Sequence, residues 1–110
     1  MTLRQKQSRF AQLISQLILW AFEKGYEITL GEAWRPDEMQ EIYLAQGKTK
    51  TRASKHQKRL AMDLNLFING KYQTGLEAYR PLGEKWKSMD PDCVWGGDWG
   101  WDANHFQFGK

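Results

Sequence analysis

The chain has 110 residues, the size of one domain, and its 41% hydrophobic and 14% aromatic content is typical of a globular protein and not of a disordered one. A single cysteine, Cys93, excludes an internal disulfide framework and a four-cysteine zinc site, so we expect a small, partly buried side chain there. The net charge of +3 is too small to indicate a class of partner without its distribution along the chain.

The N-terminal stretch is too polar for a signal peptide, since three polar residues interrupt its apolar core. No apolar run reaches the length of a transmembrane helix, so we expect synthesis in the cytoplasm without stable membrane insertion. Apolar residues recur there at three- and four-residue spacing, which predicts a helix over residues 8–24. We expect Ser8 to cap this helix and Gly25 to end it.

Three segments follow. Residues 26–35 favour a strand that runs into a turn, and Pro36 suits the first turn of a helix that Gly47 ends. Residues 48–59, KTKTRASKHQKR, carry six Lys or Arg, no acid and no apolar periodicity, and predict an exposed loop. Such a loop is either a solvated surface or a site for an anionic ligand, a cell-wall polymer or nucleic acid.

Alternation is clearest in LAMDLNLFI, residues 60–68, which predicts a strand with leucines on one face and Asp63 on the other. The Asn-Gly pair after it indicates a hairpin. Residues 75–89 predict a helix with Pro81 at its start or at a kink. We expect the Gly-, Asp- and Trp-rich residues 90–104 to form a loop, and residues 105–108 to form a short strand.

One acid and both histidines of the chain occupy compatible places. Asp63 is costly to bury unless it is paired or bound to a metal. His105 shares the polar face of the last strand with Gln107, and His56 lies just before the strand that carries Asp63. If the two strands are neighbours, both imidazoles and the carboxylate converge, and such a set with an open fourth position is typical of catalytic zinc. A structural histidine or a salt bridge would explain each residue singly, but the combination favours zinc.

A hydrolytic zinc site also needs a general base beside the attacking water. Asp102, three residues before His105, can reach that water without being a ligand itself. Asp98, in the GGDW stretch, is the rival candidate, although an aspartate after two glycines is also ordinary turn chemistry.

Three stretches together resemble the motifs of one enzyme family. SKHQKRLAMDL, residues 54–64, is similar to the S-x-H-x6-D motif of the VanY-like zinc peptidases of peptidoglycan, which include D-alanyl-D-alanine carboxypeptidases and L-alanyl-D-glutamate endopeptidases used as phage endolysins. VWGGDWGWDANHFQF, residues 94–108, resembles the second motif of that family. EAWRPDEMQEIYLAQGKTK, residues 32–50, resembles an upstream arginine and glutamine segment followed by the YAQGRT stretch of the endolysin branch.

This resemblance implies an α+β, Hedgehog/D,D-peptidase-like fold, in which a small antiparallel sheet carries the zinc and helices flank it. It implies three ligands for one Zn²⁺ per chain: His56, Asp63 and His105. Asp102 would be the catalytic acid and base, and Arg35 would stabilise the oxyanion as the amide carbonyl is attacked. Ser54 would hold the substrate backbone, and Gln40 would support Arg35 or the substrate.

The expected function is hydrolysis of a peptide bond in the peptidoglycan stem, with the L-alanyl-D-glutamate bond as the first choice. A D-alanyl-D-alanine carboxypeptidase is the alternative enzyme, and a degenerate module that only binds wall peptide is the non-enzymatic alternative. No aromatic residue interleaves with the basic segment, so we expect no nucleic-acid partner.

We expect residues 1–110 to form a single zinc peptidase domain, since this length suits one core. We expect no separate cell-wall-binding domain, and we expect the protein to act as a monomer. Because no signal peptide is evident, the expected route to the wall is release through a phage holin, as for an endolysin of phage or prophage origin.

Overall fold

The computed structural model describes residues 1–48 and 54–110. The helices and strands follow one another along the chain in this order: α1 (Leu3–Glu23), β1 (Glu27–Leu30), α2 (Asp37–Ala45), β2 (Ala61–Ile68), β3 (Lys71–Tyr72), α3 (Leu76–Met89), β4 (Cys93–Trp95) and β5 (His105–Phe108). Two short 3-10 helices, Lys55–Lys58 and Gly96–Trp99, lie between these elements. None of the helices in the described ranges is long and apolar enough to cross a membrane.

The strands form one antiparallel sheet in the order β1-β2-β5-β4, and β3 pairs with β2 as the return strand of a hairpin. The turn of that hairpin has positive φ at Asn69 (52°) and Gly70 (77°), as the Asn-Gly pair predicted. Strands β2 and β5 are direct neighbours, and their register places Asp63 opposite His105. The α+β fold class with a small antiparallel sheet is therefore confirmed.

One face of the sheet and helices α1 and α3 enclose the core. The apolar stripe of α1 is buried as its periodicity predicted: Phe10, Leu13, Ile14, Leu17 and Ala21. The indole of Trp86, on α3, is fully buried and meets the rings of Phe10 and Phe106 edge-on at 5.9 and 6.3 Å. Leu64 and Leu66 of β2 are also fully buried, which confirms the face assigned to them.

The predicted start of α1 at Ser8 is wrong, because the helix begins at Leu3 and its cap is Thr2. The Thr2 hydroxyl accepts from the backbone N–H of Gln5, and the Gln5 side chain accepts from the backbone N–H of Thr2. This reciprocal capping box satisfies two of the helix's free N–H groups, so the polar first turns remain helical. Pro81 lies inside α3 and not at its start.

Two predicted loops contain regular structure. Five of the twelve residues of the basic segment, residues 49–53, lie outside the described residues, but Lys55–Lys58 form a 3-10 helix capped by Ser54. Within residues 90–104, β4 pairs with β5 and a 3-10 helix follows. The buried Trp95 ring packs closely against Gly83 and Gly97, since a Cβ on either glycine would lie 2.2 or 2.1 Å from a ring atom. This close packing helps to hold the segment in a regular structure.

Candidate metal centre

The pairing of β2 with β5 places Asp63 opposite His105 on the open face of the sheet, and the 3-10 helix before β2 brings His56 to the same point. His56 Nε2 lies 3.1 Å from Asp63 Oδ1 and 3.1 Å from His105 Nδ1, and His105 Nδ1 lies 3.7 Å from Asp63 Oδ1. Both imidazoles are almost completely buried, and the Asp63 side chain is 20% exposed. The convergence expected from the sequence is therefore observed.

These separations fit a zinc ion. Ligand atoms at 2.0–2.2 Å from a tetrahedral zinc are about 3.3 Å apart. The three donor pairs, at 3.1, 3.1 and 3.7 Å, scatter around that value. Within the described residues they form the one group of three metal-ligating side chains close enough to share an ion. A carboxylate with two imidazoles leaves a fourth position for water or substrate.

Asp63 is held as a carboxylate. Burial raises its pKa, but hydrogen bonds with His105 and His56 outweigh that effect and lower the pKa to about 2. The backbone around it is close-packed, because the N–H of Gly31 donates to the Asp63 carbonyl at 2.8 Å. A Cβ on Gly31 would lie 2.9 Å from the Asp63 Cβ, so only glycine fits without displacement.

His105 is oriented from its far side by Gln107, which the sequence placed on the same face without assigning it a role. His105 Nε2 lies 2.7 Å from Gln107 Oε1. Burial lowers the pKa of His105, but hydrogen bonds to Asp63 and Gln107 and the nearby charge of Asp102 produce a net rise. The alternation of β5 was the available signal, since residues 105 and 107 share one face.

His56 is positioned by a local motif. The Ser54 hydroxyl accepts from the backbone N–H of His56 at 3.2 Å, and the Gln57 side chain accepts from the N–H of Ser54 at 2.6 Å. This cap fixes the 3-10 helix that aims His56 Nε2 at Asp63. His56 Nδ1 is buried and has no hydrogen-bond partner within residues 1–48 and 54–110.

The two candidate bases occupy different places. An oxygen of Asp102 lies 3.7 Å from His105 Nδ1, and burial is the main reason that the pKa of Asp102 is raised. Asp98 instead forms an ion pair with Lys87 at 2.9 Å, and its side chain is 43% exposed. Gly96 makes room for Asp102, because a Cβ there would lie 2.3 Å from the Asp102 carbonyl oxygen. Of the two acids, Asp102 is therefore the one that lies beside the cluster.

Arg35 is held rigidly beside this cluster. Its Nε donates to Glu32 at 2.5 Å, its Nη1 donates to Gln40 at 2.5 Å, and its guanidinium lies over the Tyr43 ring at 4.8 Å. Gln40 is fully buried, so of its two predicted roles the structure shows the support of Arg35. The backbone N–H of Arg35 donates to the carbonyl of His56 at 3.2 Å, which ties the two segments together.

The three-residue cluster lines one open cavity of about 660 Å³. Its described lining comprises the cluster residues with Arg35, Ser54, Asp102, Asn104 and Gln107, two tryptophans (Trp99 and Trp101) and three lysines (Lys48, Lys55 and Lys110). A cavity of this size accommodates a peptide segment. Two imidazoles and a carboxylate next to a second, raised-pKa carboxylate define the site of a metal-dependent hydrolase.

Sequence comparison then gives the family. A model of the M15 peptidases, described as D-alanyl-D-alanine carboxypeptidase, matches residues 47–108, more than half of the chain. The match spans His56, Asp63, Asp102 and His105. The chain therefore belongs to this family, and is a zinc-dependent peptidoglycan peptidase of the VanY-like group that its motifs resemble. No curated protein sequence matches the chain.

Solved structures share the fold. The L-Ala D-Glu endopeptidase ChiX of Serratia marcescens superposes with a TM-score of 0.69 at 19% identity, covering 92% of this chain and 78% of its own. VanYB in complex with D-alanine-D-alanine gives 0.60 at 23% identity, with 93% and 70% covered. A variant of the VanB-type vancomycin-resistance D,D-pentapeptidase VanY, in complex with Zn(II), gives 0.58 at 24%, with 91% and 70% covered.

Proposed function

We propose that this peptidase cleaves the bond between L-alanine and D-glutamate in the peptidoglycan stem peptide. The observation that carries the hydrolytic chemistry is the placement of Asp102 beside the His56, Asp63 and His105 cluster in one open cavity. The choice of bond is supported by the resemblance of residues 32–50 to the endolysin branch. It is also consistent with the larger TM-score to the endopeptidase, 0.69, than to the D,D-peptidases, 0.58 and 0.60.

In this proposal His56 Nε2, His105 Nδ1 and a carboxylate oxygen of Asp63 would hold one zinc ion. When bound, zinc supplies Lewis acidity that polarises a carbonyl and lowers the pKa of water from 15.7 to about 7. The low pKa of Asp63, about 2, keeps that ligand charged at every pH at which the enzyme would work.

Asp102 accepts the proton of the attacking water and donates it to the leaving amine. Its raised pKa, caused mainly by burial, suits a group that must both take up and release a proton. Arg35 stabilises the oxyanion that forms on the former carbonyl, and its contacts with Glu32 and Gln40 leave Nη2 without a partner in the described part of the chain. Ser54, at the rim, would contact the substrate backbone in addition to capping the helix of His56.

The direct test is digestion of purified peptidoglycan by the zinc-loaded protein, with metal analysis and mass spectrometry of the fragments. About one zinc per chain and new fragments that begin with D-glutamate would support the proposal. Zinc-dependent loss of terminal D-alanine alone would instead establish the second candidate, a D-alanyl-D-alanine carboxypeptidase. That candidate is favoured by the description of the matching family model. Binding of wall peptide without any cleavage would support the non-enzymatic alternative, a degenerate module that only binds wall peptide.

We also propose that residues 1–110 act as one catalytic unit in an endolysin role, and that the protein reaches the wall through a phage holin. The cationic cavity rim supports attraction to an anionic wall. Co-expression with and without a holin tests this setting, since lysis that needs both proteins is expected. Lysis by the peptidase alone would contradict the holin-dependent route.

A further inference from the structure

Two half-exposed tryptophans lie beside the metal centre, and no catalytic step described above uses them. Trp99 is 45% exposed and Trp101 38% exposed, and their rings lie 6.2 Å apart at 35°. Gly100, with φ of +90°, turns the chain so that both rings lie at the same cavity. A contiguous apolar surface at the rim of a polar cavity marks a ligand-binding surface.

We propose that Trp99 and Trp101 form a subsite for the amino sugar that carries the stem peptide, so that the preferred substrate is a glycan-linked peptide. One face of a pyranose ring consists of C–H groups, which match the flat face of an indole, while the hydroxyls remain in water. This inference rests on the proposed L-alanyl-D-glutamate specificity, because that bond lies only one residue from the sugar.

The distances agree with this assignment. One alanine and one lactyl group separate the scissile carbonyl from the sugar, about 7 Å at about 3.5 Å per unit. The Trp99 ring lies 5.2 Å from the His105 ring and 6.2 Å from the Trp101 ring. For a D-alanyl-D-alanine bond the sugar would be roughly 17 Å away in an extended chain, beyond both indoles.

The charged residues that line the cavity indicate where the stem peptide binds. Among the described residues, four cationic side chains line it: Arg35, Lys48, Lys55 and Lys110. The described lining also holds two carboxylates, Asp63 and Asp102, so this part of the lining has a cationic excess even before a zinc ion binds. The acidic stem peptide fits this part of the cavity, and the uncharged sugar ring fits the two indoles.

The test uses a matched pair of substrates: the tripeptide L-Ala-D-Glu-L-Lys with N-acetylmuramic acid at its N-terminus, and the same tripeptide with an acetyl group there. We expect kcat/KM to be at least tenfold higher for the sugar-linked peptide. In Trp101→Ala that ratio should fall toward one while zinc content stays at the wild-type value. Tyr72→Ala removes an aromatic ring that is 53% exposed on β3, and should leave the ratio unaltered.

Equal kcat/KM for the two substrates in the wild-type protein, or a ratio that survives Trp101→Ala, would overturn the sugar subsite and leave the endopeptidase assignment intact. Failure to cut either substrate, with loss of D-alanine from whole peptidoglycan, would overturn the endopeptidase assignment and the subsite together. The two failures are therefore distinguishable.

A second inference follows from the orientation of the Gln107 amide. Its Nε2 donates to the carbonyl of Gly109 at 2.8 Å, which leaves Oε1 to face His105 Nε2 at 2.7 Å. A carbonyl oxygen only accepts, so His105 Nε2 carries the proton. We infer that Gln107 is a positioning residue that selects this tautomer and thereby presents the lone pair of His105 Nδ1 to the zinc position.

The test compares Gln107→Leu with Gln107→Glu, which retains an acceptor for His105 Nε2–H. We expect Gln107→Leu to bind zinc about 10–100-fold more weakly, as for other partners of ligand histidines. Two-bond ¹H–¹⁵N spectra of the zinc-free protein should show a mixed His105 tautomer in Gln107→Leu and the Nε2–H form in the wild type and Gln107→Glu. Gln73→Leu is the control, since Gln73 also donates to a carbonyl two residues away, at 3.0 Å, in a distant turn.

Wild-type zinc affinity and an unchanged tautomer in a folded Gln107→Leu would overturn this role. If Gln107→Leu does not fold, Gln107→Glu decides the matter, because loss of the Nε2–H tautomer in that variant would equally contradict the inference.

Discussion

Strands β2 and β5 have two faces that differ in almost every property. On one face, Leu64 and Phe106 are fully buried against the helices, next to Trp86. On the other, Asp63 and His105 lie opposite each other and line an open cavity. The two sets alternate residue by residue, so the same pleat that directs apolar side chains into the core directs the ligands toward the substrate.

Stability and metal binding therefore depend on different side chains of the same two strands. Neighbouring positions of β2 can therefore be changed to affect one property at a time. If the two faces are independent, a substitution on the covered face should change stability and leave zinc binding unchanged.

The largest effect is expected for Asp63→Ala on the cavity face. Removing this carboxylate leaves two imidazoles for the ion, so zinc content after dialysis should fall well below one per chain and peptidoglycan hydrolysis should fall to background. Metal analysis and a turbidity assay check both. Wild-type zinc content in this variant would show that the three-residue centre is wrong.

Asp102→Asn should retain zinc and lose about 10²- to 10⁴-fold in kcat, the usual contribution of a general acid–base group. Asp98→Asn is the matched control, since Asp98 pairs with Lys87 outside the cavity and should keep wild-type kcat. Steady-state kinetics on a soluble muropeptide measures both. A larger loss of kcat in Asp98→Asn than in Asp102→Asn would indicate that Asp98 is the base.

Leu64→Ala tests the covered face. Deleting a fully buried leucine should lower the free energy of unfolding by about 2–5 kcal/mol, because a cavity replaces its packing. Urea denaturation with and without zinc measures this loss, which should be equal in both conditions. A loss that appears only with zinc would show that the faces are coupled.

Zinc binding should itself stabilise the folded protein, by about 2.7 kcal/mol at a free zinc concentration of 100 times Kd. Thermal unfolding of the chelator-treated and zinc-loaded protein should show this shift. The shift should be retained in Leu64→Ala and absent in Asp63→Ala. Equal stabilisation of both variants would place the zinc elsewhere.

The smallest effect is expected at Cys93, on the covered face of β4. Burial and the charge of Asp90 raise the pKa of this thiol to about 12, so at pH 8 only about 10⁻⁴ of it is thiolate. We expect no alkylation of the native protein and complete alkylation in denaturant, measured by intact mass. Rapid native labelling would indicate that the covered face opens.

The sequence predicted most residues of the site, but it did not predict several of the secondary-structure elements around it. Alternation in residues 60–68 placed Asp63 on the polar face, and the short strand of His105 supplied its partner, because period-two patterns are local. The position of Asp102 three residues before His105 made it a candidate base, and the family motifs added Arg35. The 3-10 helix of His56 has no periodicity, and β4 has only three residues, so neither gave a pattern.

Other features depend on side-chain orientation and close packing, which no sequence pattern gives. Gln107 holds His105 only because its amide is oriented by Gly109, and the choice of Asp102 over Asp98 depends on Lys87 lying near Asp98. Gly31 and Gly96 are required by their approach to Asp63 and Asp102, which composition alone does not reveal. The early start of α1 was readable, since Thr2 and Gln5 have the spacing of a capping box.

The central claim, that one zinc ion is held by His56, Asp63 and His105, is tested most directly by crystals of the zinc-loaded protein measured at the zinc absorption edge. We predict one anomalous peak per chain, about 2.0–2.2 Å from His56 Nε2, His105 Nδ1 and an Asp63 carboxylate oxygen. A peak at other side chains, or no peak between these three, would contradict the account.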